Sequence, residues 1–360
     1  MSGIVPLAES GERCGRKAAT LGRLMREGFA VPRGFVVANP GDSRWRRGLG
    51  QALAGLRPGP YAVRSSGLGE DGLTASFAGQ FHTTLNVPAA GVADAILWSA
   101  ASGSTVAARA YASRLGQAVA DVAPVLVQQM VQPDVAGVLF TRHPVTGADQ
   151  VVIEAVDGLG DRLVNGEVTP GRWIVGEHGI VEAPRSGALL TEQQVGDLVR
   201  LGWQIEARLG APQDIEWAIE RTQVWVLQSR PITPSGGSRA DDERPVADPI
   251  LSGIAASPGL ATGRVSVVRG LDDFAEFREG DVLVCRATSP AWTPVLARAA
   301  AVVTETGGLL SHAAIVAREF GVPAVVSADD ATALLAGHAT VLVDGNHGTV
   351  AQPFERPTCD

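Results

Sequence analysis

Lysine is almost absent from this chain. Of its 30 basic residues, 29 are arginines and one is Lys17. A composition that uses arginine wherever a positive charge will do leaves the surviving lysine as the mark of a place needing a compact ammonium, not a planar guanidinium. Chance is the competing explanation, since one leftover lysine must sit somewhere. Other scarcities exclude whole classes of protein. Three cysteines in 360 residues (Cys14, Cys285, Cys359) are scattered without disulfide or metal-binding spacing. No apolar run approaches the roughly 20 residues that a membrane helix needs. Basic residues do not outnumber acidic ones, and a formal charge of −8 argues against a general nucleic-acid binder. The opening Met-Ser-Gly-Ile-Val-Pro has no basic segment followed by an apolar one, so no secretory signal is read there. The expected setting is cytoplasmic and reducing, with no membrane and no nucleic acid as partner.

What is present suits a folded chain. Charged residues make up only 19% and the mean hydropathy is +0.13, which excludes wholesale disorder. The length fits two domains. The clearest break is 234–248, Pro-Ser-Gly-Gly-Ser-Arg-Ala-Asp-Asp-Glu-Arg-Pro-Val-Ala-Asp, which lacks apolar periodicity and reads as a flexible linker. The expected division is a large domain over 1–233, the linker, and a small domain over 249–360. Periodicity predicts helices at 17–27, 106–119 and 191–209 in the large part, with strands at 34–37, 61–64, 125–129, 137–140 and 151–155. In the small part it predicts strands at 264–268, 281–285, 301–304, 324–326 and 340–343, with helices at 290–299 and 311–320. The class is therefore mixed α/β.

Two segments carry chemistry on physical grounds. In Thr304-Glu-Thr-Gly307-Gly308-Leu-Leu-Ser311-His312, a strand runs through a glycine turn into a helix. Ser311 is a natural N-cap, leaving His312 in the first turn. Unpaired N–H groups and the positive end of the helix dipole favour an anion there, such as a phosphorylated imidazole. His82, His143, His178, His338 and His347 read as ordinary loop or turn histidines. The second segment runs from Asp214-Ile-Glu216 to Gln228-Ser-Arg230. Residues two apart on a strand share a face. A three-residue turn over 221–223 would pair 220 with 224, setting Glu216 opposite Gln228 and Asp214 opposite Arg230. Hard oxygen donors on facing strands suit Mg²⁺ holding phosphates, and Arg230 would offset transferred phosphate charge. A structural salt bridge between Asp214 and Arg230 is the plainer reading, and both can hold. Arg64 offers a two-pronged fork to phosphate oxygens, and the small polar stretch after it can fold N–H groups over a phosphate tail.

The string around His312 closely resembles the phosphohistidine motif of the phosphoenolpyruvate synthase and pyruvate phosphate dikinase family. The likeness extends to Ser257-Pro-Gly-Leu-Ala-Thr-Gly263, Gly321-Val-Pro-Ala-Val and Asp344-Gly-Asn-His-Gly-Thr-Val350. In the large part, Gly15-Arg-Lys17-Ala-Ala-Thr-Leu21 resembles the family's opening, with Arg16 where a second glycine is usual. Val63-Arg64-Ser65-Ser66 and Ser76-Phe-Ala-Gly79-Gln80 resemble its arginine and glycine-loop segments. Val127-Gln128-Gln129-Met130-Val131 resembles the strand that holds adenine, although an ordinary core strand would look the same. Gly158-Leu-Gly-Asp161 stands where Gly-Leu-Gly-Glu is usual.

The resemblance implies an ATP-grasp nucleotide-binding domain followed by a small β/β/α swivelling phosphohistidine domain, using ATP and Mg²⁺. It implies a nucleotide site made of Lys17, Arg64, Ser76, Gly79, Gln128, Met130, Asp214, Glu216, Gln228 and Arg230. Glu216 and Gln228 would hold the metal; Lys17, Arg64, Arg230 and His312 would carry the chemistry. The implied activity is phosphorylation of His312 from ATP, yielding AMP and phosphate, then transfer to a small-molecule acceptor or a partner chain. The alternative is an ATP-dependent ligase that activates a carboxylate through phosphohistidine for amide or ester formation. Relatives such as rifampicin phosphotransferase place an acceptor domain between the other two, where this chain has only the linker. A barrel of ~250 residues has no room here. Pyruvate is thus not the expected acceptor of this chain acting alone, and an acceptor domain on a separate protein is the other implied partner.

Overall fold

The computed structural model describes residues 3–67, 83–101, 122–184, 189–232 and 248–353. The helix expected at 106–119, the linker up to residue 247, and the nucleotide-loop positions Ser76 and Gly79 lie outside the described residues.

The first compact unit comprises Met1–Arg142, Asp149–Gly160 and Gly171–Thr233. It contains two antiparallel sheets. The five-stranded sheet runs in the order Ile4–Pro6, Gly34–Val37, Val125–Gln129, Tyr61–Ser65, Thr83–Val87. Alternation along Tyr61–Ser65 separates its faces. Tyr61 and Val63 join Phe35, Val125 and Val127 in a core covered by helices Trp45–Ala54 and Val92–Ala100. Arg64 therefore projects from the opposite face.

The six-stranded sheet runs Gln223–Pro231, Gln213–Glu220, Val135–Phe140, Val151–Asp157, Gly171–Gly176, Gly179–Glu182. One face presents Ile215, Trp217, Leu139 and Ile153 to helix Glu192–Leu209, whose Val195, Leu198 and Ile205 complete that core. Each such fully buried side chain contributes roughly 1.5–3 kcal/mol. A Thr191–Gln194 capping box starts this helix and Gly210 ends it in the left-handed conformation. With the odd-numbered residues of Gln213–Glu220 in the core, Asp214 and Glu216 face the other way.

The first strand pair departs from expectation in an instructive way. Glu220 pairs with Gln223, so the turn holds two residues, not three. Arg221 supports it from the left-handed region at φ 58. A two-residue turn alone would put Leu227 opposite Glu216. Instead the register shifts between Glu216 and Trp217: Val226 pairs with Trp217, Gln228 with Glu216, and Arg230 with Asp214. Leu227 is the extra residue of a β-bulge. It lets Val224 and Val226 enter the core while Gln228 and Arg230, at the same parity, turn to the opposite face.

The second unit takes residues Pro234–Asp360 together with His143–Ala148 and Asp161–Pro170. Its eight-stranded sheet contains the parallel run Leu260–Val267, Val282–Cys285, Ala301–Thr304, Ala324–Val326, flanked by antiparallel strands. Helix His312–Phe320 is the crossover between the last two of these strands. The change of unit falls between Thr233 and Pro234, and two short segments from earlier in the chain also pack with this second unit. The reason is local and polar. Thr306 donates to the Gly166 carbonyl at 2.6 Å, the Thr169 and Ser327 hydroxyls lie 3.2 Å apart, and Ser327 donates to the Gly307 carbonyl at 2.5 Å.

Candidate active site

In the first unit the start of helix Arg16–Arg26 meets the end of strand Tyr61–Ser65. Gly15, at φ 82 and ψ 160, adopts a conformation essentially reserved for glycine. The Ala18 N–H donates to the Ser66 hydroxyl at 3.0 Å, so the helix is capped by a residue from another element. Lys17 is buried, with Nζ 3.4 Å from the Ser65 carbonyl. A Cβ on Gly15 would lie 1.4 Å from the Ser66 carbonyl oxygen. Gly15→Ala is accordingly expected to cost at least about 2–3 kcal/mol, because both the strained φ and the clash oppose it. Urea unfolding of the full chain measures this; an unchanged midpoint would show that the junction yields freely.

Arg64 reaches the hairpin of the six-stranded sheet. Its Nη2 donates to Glu216 Oε2 at 2.9 Å and to Gln228 Oε1 at 2.7 Å, and its Nη1 donates to the Leu227 carbonyl at 3.0 Å. The bulge therefore has a second consequence: the carbonyl of the extra residue is one of the three acceptors that hold the guanidinium. Arg230 donates to Asp214 Oδ2 at 2.8 Å from both Nε and Nη2, so the plain salt bridge is present. Burial alone would raise the Glu216 carboxyl. The Arg64 charge foremost, then Lys17, the Arg64 hydrogen bond and Arg230, reverse that and hold it below the ordinary carboxylate range. Lys17, Arg64, Glu216, Gln228, Asp214 and Arg230 thus form one electrostatic cluster.

Two further expected nucleotide contacts lie at the end of the five-stranded sheet. Gln128 is buried in the five-stranded sheet and donates to the Pro32 carbonyl at 3.0 Å, as a clasp between strand and loop would. Met130 is half-buried just beyond that strand, its N–H bonded to the Pro60 carbonyl at 3.1 Å. Conversely, Glu154 was not picked out by its sequence context, since it lies inside a hydrophobic run. The register Glu216–Val138–Glu154 places this fully buried carboxylate on the Glu216 face of the sheet.

The donor set around Arg64 also bears on the metal. Two hard oxygens, one from a carboxylate and one from an amide, converge within hydrogen-bond distance of a single nitrogen. That set fits Mg²⁺ chemically. Among the described residues there is no cluster of three or more His, Cys, Asp or Glu side chains that could hold a metal unaided.

In the second unit Ser311 caps helix His312–Phe320 by accepting from the Ala314 N–H, and His312 opens the helix. The glycine turn before it is tight: Gly307, at φ 114, approaches so closely that a Cβ would lie 2.9 Å from that of Ser311. Arg318, in the last turn, donates to the Ala256 carbonyl at 2.9 Å and the Leu309 carbonyl at 2.6 Å, pinning the loop. His312 is only 4% exposed, and burial pushes its pKa down to about 3. Thr288 Oγ1 lies 2.8 Å from its Nδ1 and Thr293 Oγ1 lies 3.4 Å from its Nε2. These two threonines were missed in the sequence, where loop hydroxyls near prolines carry no distinguishing pattern. His143 and His347 behave as local loop residues: His143 Nδ1 accepts from the Val145 and Thr146 N–H groups, and His347 pairs with Asp344.

A nucleotide-binding unit of ATP-grasp type followed by a mobile phosphohistidine-like domain is the class of protein these two arrangements define. The chain belongs to the pyruvate phosphate dikinase and phosphoenolpyruvate synthase family. The model of the pyruvate phosphate dikinase AMP/ATP-binding domain matches residues 47–183 and 179–247, and that of the PEP-utilising enzyme mobile domain matches 277–348. A probable phosphoenolpyruvate synthase of Archaeoglobus fulgidus is 40% identical over 322 residues, covering 80% of this chain and 43% of that one. One from Methanothermobacter thermautotrophicus is 37% identical over 318 residues, covering 80% and 46%. The phosphoenolpyruvate synthase of Aeropyrum pernix is 32% identical, covering 93% of this chain and 56% of its own. The chain thus spans about half the length of the curated relatives it matches. Among the described residues no helix is long and apolar enough to cross a membrane.

Proposed function

We propose that this chain is an ATP-dependent phosphotransferase that phosphorylates its own His312 and forms AMP and phosphate. The phosphoryl group then passes to a small-molecule acceptor or to a protein carrying an acceptor domain. The observation that supports this most is the convergence of Lys17, Arg64 and Arg230 on the Glu216–Gln228 oxygen pair. Three cations beside two hard oxygens form a site for a polyphosphate and its metal ion. Glu216 and Gln228 would hold Mg²⁺, which would neutralise phosphate charge as it develops. Lys17 would contact the phosphate tail as a compact charge, and Arg230 would offset charge on the transferred group. Two phosphoanhydride bonds of ATP open in the overall reaction, one to the imidazole and one to water, which balances AMP, phosphate and phosphohistidine. Working in the cytoplasm is consistent with this use of ATP.

The ligase alternative takes second place, because the relatives above are named for phosphoenolpyruvate synthesis. A pyruvate-like acceptor, whose enol oxygen would take the phosphoryl group, is the corresponding choice if an acceptor domain is supplied. With Mg²⁺ and ATP labelled in the β or, separately, the γ phosphate, one of the two labels should remain on the chain in acid-labile, base-stable form while the other leaves as phosphate, and AMP should be released. His312→Ala should abolish the label while ATP binding persists. Label surviving in that variant, or none in the wild type, would overturn the assignment.

A further inference from the structure

The segment Asp161–Pro170 forms a strap that touches the turn leading to His312, and the contact has a direction. The chain enters the strap from strand Val151–Asp157 and leaves it into strand Gly171–Gly176, both in the sheet that bears Glu216 and Gln228. A hydroxyl has a single proton to donate. Ser327 gives its proton to the Gly307 carbonyl at 2.5 Å, so at its 3.2 Å contact with Thr169 the threonine donates. Thr306 lies 2.6 Å from the Gly166 carbonyl and 3.2 Å from that of Arg286, so its proton goes chiefly to the strap. The strap therefore donates once and accepts once, against two adjacent residues of the turn. Between these points backbone meets backbone. Gly166 has φ 71 and Gly307 has φ 114, and a Cβ on them would lie 3.0 and 2.9 Å from the Cβ of Ser311, the neighbour of the histidine. Ser327 bridges strap and turn from φ 52, a region that residues with a Cβ rarely visit and that recurs in switch segments.

We propose that this strap is a latch on the histidine turn: closed, it keeps His312 shielded, and its opening sets the rate at which the imidazole becomes accessible. The bearing on phosphoryl transfer rests on the reading of His312 as the carrier. The two arms of the latch, Thr169–Ser327–Gly307 and Thr306–Gly166, are hydroxyl–carbonyl contacts at partly exposed positions. Each arm is worth roughly fivefold in the open–closed equilibrium, because water takes the place of the partner when the bond breaks. Interlocked apolar side chains would instead expose apolar surface on opening, and the turn would stay shut. Two polar arms hold the turn closed for most of the time and still let it open without disturbing a core. The closed state matches the burial of His312, which is only 4% exposed. A carrier that must keep its group from water and yet surrender it to an acceptor needs a contact of this intermediate strength.

The test reads accessibility without ATP. Diethyl pyrocarbonate acylates accessible neutral imidazoles, and peptide mass spectrometry follows His312 separately from the exposed His178 and His347. In the full chain carrying Thr169→Cys and Ser327→Cys, the replaced oxygens are 3.2 Å apart, so sulfurs in their place can reach bonding distance. Oxidised, this double variant should be modified at His312 at least about tenfold more slowly than when reduced, since the disulfide outlasts the hydroxyl chain it replaces. Thr169→Val combined with Thr306→Val removes both arms and should raise the His312 rate at least about tenfold over wild type. His178 and His347 should keep their rates throughout, which reports an intact fold. Equal His312 rates in the oxidised and reduced forms would overturn the proposal. So would cysteines that fail to join on oxidation, or a wild-type rate in the folded Thr169→Val, Thr306→Val chain. A wild type that takes no label from ATP would leave all these rates as they stand and count only against the phosphohistidine reading.

Discussion

Arg64→Ala is expected to lower ATP-dependent labelling by about 10²–10³-fold, the usual range for removing a preorganised charge from a phosphate or oxyanion site. The guanidinium touches three acceptors from one hairpin: Glu216, Gln228 and the Leu227 carbonyl. Its pair with Glu216 is largely shielded, at 13% and 22% side-chain exposure. Deleting it leaves a carboxylate that still bears the penalty of burial but has lost its strongest compensating charge. The cost in stability should be about 3 kcal/mol, the lower end for a broken buried pair. Glu216 should then titrate higher than in the wild type, because the remaining cations, Lys17 and Arg230, are the weaker contributors. Arg64→Lys keeps the charge but cannot reach three acceptors at once, so it should fall between the two. Urea unfolding and AMP release, measured on the same preparations, separate folding from chemistry. Wild-type labelling in a folded Arg64→Ala variant would remove this cluster from the phosphate site.

How much of this was legible in the sequence depends on whether the cause is local. Ser311 and His312 could be placed at a helix start because capping is a short-range effect, and the structure has the helix beginning at His312. The helix at Glu192–Leu209 was equally readable from its periodicity. Lys17 stood out by rarity and by the likeness of its surroundings to the family's opening, but its burial beside Ser65 is a tertiary fact. The facing of Glu216 with Gln228, and of Asp214 with Arg230, was expected from a three-residue turn and is present, but by another route. The turn is one residue shorter than expected, and the Leu227 bulge restores the register. A bulge held by an arginine from another sheet leaves no mark in the hairpin's own residues.

Elements such as Trp45–Ala54 and Gly179–Glu182 were missed for a different reason. The first is a glycine-interrupted helix and the second an exposed edge strand, so neither displays a clean apolar period. The membership of Asp161–Pro170 in the second unit was also unreadable. It rests on a glycine carbonyl and a few small hydroxyls, which follow no sequence period.

The second large effect concerns pH. Burial holds the His312 pKa at about 3 in the folded chain, against 6.5 for the free side chain. Between those values the unfolded chain binds a proton that the folded chain does not, so stability rises with pH across the window and falls on acidification. From pH 6.5 to 4.5 the loss from this group should approach about 2–3 kcal/mol. His312→Gln has no proton to take up and should lose correspondingly less over the same interval. Chemical unfolding at a series of pH values gives the difference between the two chains. The ring protons provide the direct check: the His312 Cε1–H resonance should stay fixed between pH 8 and 5, whatever the loop histidines do. A His312 midpoint near 6.5 would mean that the ring is solvated in solution, with no Thr288–Thr293 enclosure to hold it neutral. The fixed resonance, in contrast, would mean that a neutral imidazole is available throughout the physiological range and that its exposure, not its protonation, controls when it reacts.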